Sequence, residues 1–201
     1  MDQSIWTRRL DDFQHMIAAG DSITGAVAVS AVSAALAVDV LQMVLEVTAR
    51  KRNSEHLQGL IAAAREARER LAHAADEDRA AYAAYRDALK LPKEFEGRGP
   101  AIDAALQKAS EIPLVAASAA TEALSLCVEA GKLAQGAIAA DVGGAAHLLA
   151  GAIRAILISV DANLRNFQGQ PSYDALVSKR RDLEAQAIAR ADQVLKVLGV
   201  S

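Results

Sequence analysis

Cysteine is nearly absent from the sequence: Cys127 is the only thiol among 201 residues. No disulfide can form within the chain, which fits a reducing compartment, and we expect a cytoplasmic location. Cys127 lies in the apolar run of residues 123–128, with no polar activator nearby in sequence. We therefore predict that it is a buried structural thiol and not a catalytic nucleophile.

Aromatic residues (3%), glycine (12) and proline (4) are also scarce. Few turns are signalled, so the secondary-structure elements should be long. Alanine supplies much of the 52% hydrophobic content, and it combines the highest helix propensity with a small side chain that lets helices approach closely. No segment alternates as a strand would. We predict an all-α fold, a multi-helix bundle forming one domain over residues 1–201.

Neither sign of charge is in large excess: the formal net charge is −3. We expect neither nucleic acid nor a membrane as a partner, and the polar N-terminus does not resemble a signal peptide. Residues 23–45 and 142–160 are apolar enough to be mistaken for membrane spans, but Asp39 and His147 are among the polar residues that interrupt them. We predict that they are the two central helices of a homodimeric bundle, since their apolar surface is too wide for one covering layer.

Glycine, proline and capping residues divide the chain into helices. The first predicted helix covers residues 5–18, the second runs from a cap at Ser22 or Thr24 to residue 50, and the third runs from Asn53 or Ser54 to residue 89. A shorter helix covers residues 101–110, and the next runs from about Pro113 to residue 131. The last two run from a cap at Asp141 to residue 163 and from a cap at Ser172 to residue 198.

The third predicted helix has a seam of residues spaced alternately by three and four positions, as in a coiled coil. The seam consists of Leu57, Leu60, Ala64, Ala67, Leu71, Ala74, Asp78, Ala81, Tyr85 and Ala88. Asp78 stands where an apolar side chain belongs. A carboxylate on a packing face is costly unless it is hydrogen-bonded or paired, and burial raises its pKa toward the range of a neutral-pH acid or base. A structural ion pair is the alternative.

Two further charged residues interrupt apolar helices. Asp39 and Arg154 could pair with each other and with Asp78, or all three could line a polar cavity. The cluster Arg50, Lys51 and Arg52 ends a predicted helix, where it could complement the helix dipole or bind an anion.

The sequence contains no phosphate-binding glycine loop, no dinucleotide fingerprint and no nucleophile elbow. Its four histidines form none of the pairs typical of a di-iron bundle. We predict no bound metal or cofactor.

Several short motifs, in order, resemble the cyclodeaminase/cyclohydrolase family of folate enzymes. Residues 78–82 (DRAAY) and 90–93 (KLPK) are similar to its Asp-x-x-Ala-Phe and Lys-Leu-Pro-Lys, and residues 111–114 (EIPL) to its Val-Pro-Leu. Residues 140–144 (ADVGG) resemble Ser-Asp-x-Gly, and residues 47–52 (VTARKR) resemble Leu-Thr-Ile-Gly-Lys-Lys. Arg154 and Asn163 fall where the family has an Arg and an Asn. The resemblance extends from Leu10 to the C-terminus.

The loop before the second helix departs from the family pattern. The family has Pro-Thr-Pro-Gly-Gly-Gly-Ser, whereas residues 20–26 read GDSITGA. Only Gly25 remains of three glycines at a place where the backbone should approach a ligand closely, at a helix N-terminus. Ile23 and Thr24 add side chains that we expect to narrow the site, and Ala140 and Ser159 replace polar residues of the family.

The resemblance implies an all-α homodimer that acts on a tetrahydrofolate derivative without a metal. One branch hydrolyses methenyltetrahydrofolate to formyltetrahydrofolate, and the other converts formimidoyltetrahydrofolate to methenyltetrahydrofolate with loss of ammonia. Asp78 would shuttle the proton, and Asp141 would orient water or the pterin unless it only caps its helix. The implied substrate-binding residues are Gly25, Arg50, Lys51, Arg52, Arg154 and Asn163, the basic three holding the glutamate tail.

We expect no attached formimidoyltransferase domain, and this expectation favours the hydrolase over the deaminase. The alternative is a homologue that has kept the fold and lost or changed the activity, and that serves as a ligand-binding or scaffold dimer. The altered glycine loop favours this alternative.

Overall fold

A computed structural model describes residues 4–19, 24–165 and 172–200, and within these ranges every regular element is helical. The prediction of an all-α fold is confirmed. After a 3-10 turn at Ile5–Thr7, the helices are α1 (Leu10–Ala18), α2 (Ala26–Lys51), α3 (Glu55–Leu89), α4 (Arg98–Leu133), α5 (Ala137–Arg165) and α6 (Tyr173–Leu198).

Helix α3 forms as its sequence predicts. The hydroxyl of Ser54 caps its first turn by accepting a hydrogen bond from the backbone N–H of Leu57. Every member of the predicted seam is buried except Asp78 and Tyr85, which are half-buried. The helix ends just before Pro92, which cannot continue the ladder of backbone hydrogen bonds.

Helix α4 corrects the sequence prediction, because the two helices expected on either side of Pro113 are one continuous helix. A proline inside a helix costs about 3 kcal/mol relative to alanine. Buried residues on both sides of it, including Leu106, Leu114 and Leu124, favour one continuous helix because they pack into the same core. Helix α4 packs against α2, α3, α5 and α6.

Helix α5 begins earlier than predicted. Gly136, with a φ of 67°, turns the chain, and the helix starts at Ala137. Asp141 is consequently inside the helix, and its predicted capping role is wrong. Glycine tolerates a left-handed φ and so sets the boundary one turn ahead of the aspartate.

The N-terminal segment is attached to α3. The carboxylate of Asp76 accepts hydrogen bonds from the Ser4 hydroxyl (2.6 Å) and the Ile5 backbone N–H (2.8 Å). The indole N–H of Trp6 donates to the carbonyl of Ala72 (2.9 Å). The guanidinium of Arg68 lies 4.7 Å from the centre of the Trp6 ring, a cation–π contact.

The two helices predicted to be central, now α2 and α5, each keep an exposed apolar side in the single chain. Leu36 and Met43 on α2 are exposed, as are Leu148 and Ile158 on α5. Helix α4 contacts more of the other helices than α2 or α5 does. By length and composition α2, α4 and α5 could each cross a membrane, although 44–61% of their most apolar windows is buried inside the bundle.

Candidate functional site

A cavity of about 200 Å³ opens where four helices meet at one end of the bundle. The first turn of α2 and the last two turns of α5 form one side, and α3 and α4 form the other. The lining residues are Gly25, Ala26, Val27, Asp78, Tyr82, Tyr85, Leu106, Ala109, Ser159 and Asn163. Helix α3 continues for eleven residues beyond Asp78, about 16 Å along its axis, and for four residues beyond Tyr85, the last lining residue on this helix.

Asp78 is the acidic group of this cavity. Burial raises the pKa of its carboxyl group from 3.8 to about 6, and a hydrogen bond from the backbone N–H of Ala28 acts in the opposite direction. Ala28 is the third residue of α2, whose N-cap, Gly25, has no side chain to satisfy the free N–H groups. Asp78 therefore caps α2 from a neighbouring helix, and its carboxyl group can change protonation state near neutral pH.

Polar side chains surround Asp78 on the cavity wall. Tyr82 and Tyr85 lie one and two turns further along α3, and Ser159 lies one turn before Asn163 on α5. The side-chain amide of Asn163 donates to the backbone carbonyl of Ala109 on α4 (2.7 Å). Both tyrosines and Ser159 were missed as site residues, although the spacings of four and seven from Asp78 place the tyrosines on the same helix face.

The cavity unites three of the eight predicted site residues: Gly25, Asp78 and Asn163. A Cβ atom added to Gly25 would meet nothing within 4 Å, so this position leaves open space beside the carboxyl group. Thr24 is buried. Ile23, which we expected to narrow the site, lies outside the described residues.

The remaining predicted residues lie elsewhere in the chain. Arg50 is 25 residues from Gly25 along α2, which corresponds to about 37 Å, and Asp141 is 22 residues from Asn163 along α5, about 33 Å. Asp141 is exposed. A single chain therefore does not bring Asp141 to Asp78, and the predicted pair of catalytic carboxylates is not formed within it.

Neither alternative for Arg154, Asp39 and Asp78 is confirmed: the three do not pair with one another, and only Asp78 lines the cavity. Arg154 is exposed on α5. The carboxylate of Asp39 instead lies 3.5 Å from the guanidinium of Arg68. The physical reason is that α2 and α5 each keep a side in solvent, so a charged residue on that side needs no buried partner.

The basic cluster lies at the opposite end of the bundle, beside a second cavity of about 130 Å³. Lys51, Arg52, Leu133, Gln135 and others line it. The guanidinium of Arg52 donates to the carbonyl of Leu133, the last residue of α4 (2.9 Å). This cation thus satisfies a helix C-terminus, but that of α4 and not of its own helix.

Cys127 is fully buried, and burial raises the pKa of its thiol to about 12. The prediction of a structural thiol is confirmed. Among the described residues, no three His, Cys, Asp or Glu side chains cluster closely enough to hold a metal ion.

Comparison with known proteins gives both a family match and a structural match for the chain. A sequence model of the family described as Formiminotransferase-cyclodeaminase matches residues 9–182. The fold is similar to the crystal structure of a formiminotetrahydrofolate cyclodeaminase from Thermotoga maritima, with a TM-score of 0.88 and 22% identity over 97% of this chain and 98% of that chain. No curated protein sequence matches the chain significantly.

Proposed function

The chain belongs to the formiminotransferase-cyclodeaminase family, and from this premise we propose that it is a methenyltetrahydrofolate cyclohydrolase-like enzyme of one-carbon folate metabolism. The related cyclodeamination of formimidoyltetrahydrofolate would use the same site. The observation that carries the proposal is Asp78, a half-buried carboxyl group on a cavity wall with a pKa raised to about 6. We place the activity in the cytoplasm, in keeping with the single reduced thiol.

Asp78 can supply the proton transfers that both reactions need. In hydrolysis, the oxygen of a water molecule bonds to the methenyl carbon while the carboxylate accepts one proton of that water. The bond from the resulting tetrahedral carbon to N5 then breaks, Asp78 gives its proton to N5, and the hydroxyl proton leaves to solvent as the formyl group forms. In cyclodeamination of the protonated formimidoyl group (=NH₂⁺), Asp78 takes the proton from N10 as this atom bonds to the formimidoyl carbon, and gives it to the former imine nitrogen, which leaves as NH₃ when its bond to that carbon breaks.

The geometry supports Asp78 in this role. Burial favours the neutral acid, whereas the Ala28 N–H and the N-terminus of α2 favour the anion. Opposing effects leave the pKa close to neutral pH, where a group both accepts and donates protons efficiently. The cavity that Gly25 and Asp78 both line has a volume of about 200 Å³, which leaves space for a ligand group next to the carboxyl group.

We further propose that the active form is a homodimer joined through α2 and α5. Leu36, Met43, Leu148 and Ile158 on these helices have exposed fractions of 42–69%. Gly144 and Gly151 on α5 are exposed as well, and small residues let helices of two copies approach closely. An apolar surface of this kind favours burial against an identical surface about a two-fold axis.

A two-fold axis perpendicular to α2 and α5 would complete the site. The N-terminus of α2 meets the C-terminus of α5 at the Asp78 cavity, and the opposite ends meet at the basic cluster, so the two helices are antiparallel. The axis would place Asp141 and the basic cluster of one copy beside the Asp78 cavity of the other. The predicted folate-binding set, divided within one chain, would then be reunited, with Lys51 and Arg52 facing the glutamate tail of a folate.

The assay that tests the function measures both reactions with purified protein. We expect a fall in methenyltetrahydrofolate absorbance faster than in buffer alone. Ammonia release from formimidoyltetrahydrofolate without hydrolysis would assign the deaminase instead. If neither reaction is accelerated, the alternative of a catalytically altered homologue that binds a ligand or acts as a scaffold dimer replaces the proposal. The observation that favours this alternative is the departure at Thr24, a buried side chain where the family has glycine.

A further inference from the structure

Pro113 has a specific effect on the wall of the cavity. In a helix, the backbone N–H of residue 113 would donate to the carbonyl of residue 109. Proline has no N–H, so the carbonyl of Ala109 loses its helical partner in the middle of α4. The side-chain amide of Asn163, 54 residues away on α5, donates to that carbonyl at 2.7 Å.

This bond fixes which side of the Asn163 amide faces the cavity. A backbone carbonyl only accepts hydrogen bonds, so the group turned toward Ala109 must be the NH₂ and cannot be the oxygen. Ala109 and Asn163 both line the cavity that contains Asp78. Within the described ranges no group donates to the amide oxygen of Asn163, which leaves this oxygen as an acceptor for a ligand.

We propose that Pro113 is a positioning residue that acts through Ala109 and Asn163 to present a hydrogen-bond acceptor to the ligand. The inference rests on the proposed function and deepens it: the ligand must offer an N–H donor toward α5, as the amide and amine edge of a pterin ring does. With alanine at position 113, a backbone N–H would donate to the carbonyl of Ala109 and compete there with the Asn163 amide. The Asn163 amide could then rotate and present its NH₂ group, which would repel the same donor.

The test is a double-mutant cycle with 5-formyltetrahydrofolate as the ligand, measured by calorimetry. Each of Pro113→Ala and Asn163→Ala should raise Kd about fivefold, the effect of losing one hydrogen bond. The double variant should bind like Asn163→Ala alone, because Pro113 acts only through Asn163. Pro113→Ala should also raise Tm, so a loss of binding cannot be attributed to unfolding.

The matched control is Pro100→Ala, since Pro100 is exposed in the first turn of α4 and frees no carbonyl within the helix. It should leave Kd unchanged. Additive losses in the double variant, or unchanged binding in Pro113→Ala, would overturn the assignment of Pro113.

A ligand-free measurement separates this inference from the proposed function. In the wild type, the side-chain NH₂ signal of Asn163 in a ¹⁵N NMR spectrum, identified by its loss in Asn163→Ala, should exchange slowly with water. In Pro113→Ala it should exchange faster. If the wild type binds no folate but the exchange rates differ as expected, the folate proposal fails and the positioning of Asn163 stands. Equal exchange rates contradict the positioning itself.

Discussion

The two ends of the α2–α5 helix pair differ in what the single chain completes. At one end, Asp78 is enclosed by four helices and bonded to the first turn of α2. At the other, Asp141 and Arg50 are exposed, and of the four predicted site residues described there (Asp141, Arg50, Lys51 and Arg52) Arg52 is the one with a hydrogen bond to a neighbouring helix. Both ends carry residues that the family resemblance implies for the folate site. The difference is the basis of our proposal that one chain supplies the proton-transfer group and a second copy supplies the remainder of the site.

The largest effect that we expect is loss of turnover in Asp78→Asn. The amide cannot shuttle a proton, so kcat should fall by about a hundredfold or more. Its carbonyl oxygen can still accept from the Ala28 N–H, so the fold should be retained. A steady-state folate assay and a thermal melt on the same preparation measure both quantities. Full activity of the folded variant would remove Asp78 from the mechanism.

Mixing two inactive variants tests whether the ends meet across a dimer. If each site combines Asp78 of one copy with Asp141 of the other, a heterodimer of Asp78→Asn and Asp141→Asn has one intact site. Unfolding and refolding an equimolar mixture should therefore restore about a quarter of wild-type activity, because half of the dimers are mixed and each has one working site.

The matched control for this experiment is a mixture of Asp78→Asn and Asn163→Ala. Both residues line the same cavity in one chain, so each site of the heterodimer keeps one defect, and the mixture should have half the activity of Asn163→Ala alone, with no gain on refolding. Failure of the first mixture to recover, or a monomer by light scattering at micromolar concentration, would contradict the shared site.

Stability as a function of pH distinguishes a strained carboxyl group from an ion pair at Asp78. Its pKa is raised to about 6 in the folded protein from 3.8, so the folded state binds the proton more tightly than the unfolded chain. The stabilising contribution is complete below pH 3.8 and is lost as the pH rises through about 6. The loss reaches at most about 3 kcal/mol.

Asp78→Asn lacks this titration, and it should therefore be more stable than the wild type at pH 8 and equal to it near pH 4. Urea unfolding at the two pH values measures the difference. A variant that is less stable at pH 8 would show that the carboxylate is held by a cation.

The smallest effect concerns the basic end. Arg52→Ala removes the donor to the Leu133 carbonyl and should lower the free energy of unfolding by about 1 kcal/mol. Arg50→Ala, at an exposed position beside it, should leave stability unchanged. Both should weaken binding of a folate with its glutamate tail more than binding of a pterin without it. Equal losses for the two ligands would exclude a role in tail binding.

The sequence could predict those helices in which apolar residues repeat regularly enough to identify the buried face. The three-and-four seam of α3 identified its buried face, and the one carboxylate in that seam proved to be the acidic group of the cavity. Helix α5 gave no such guide. Alanine and glycine occur on nearly all its sides, so the pattern does not show which side is exposed, and Arg154 was wrongly expected to be buried.

The interactions that sequence reasoning missed are of a different kind. From local energetics alone, Pro113 predicts a break in the helix. The packing of α4 in the core outweighs the cost of the proline, and the helix continues through it. The partner of Asn163 is a backbone carbonyl, which every residue possesses and which therefore leaves no trace in the sequence. The capping of α2 by Asp78 likewise depends on tertiary packing, which brings the N-terminus of α2, where Gly25 provides no side-chain cap, close to Asp78 on α3.

Trp6 gives the protein a built-in optical reporter. It is the only tryptophan of the chain, and its indole N–H is bonded to α3 at Ala72, six residues before Asp78. Its fluorescence therefore reports whether the N-terminal segment is seated on the helix that carries the acidic group. Since Tyr82 and Tyr85 are on the same helix, on the wall of the cavity, quenching or a spectral shift of Trp6 on addition of a folate would register a change along α3 without any label.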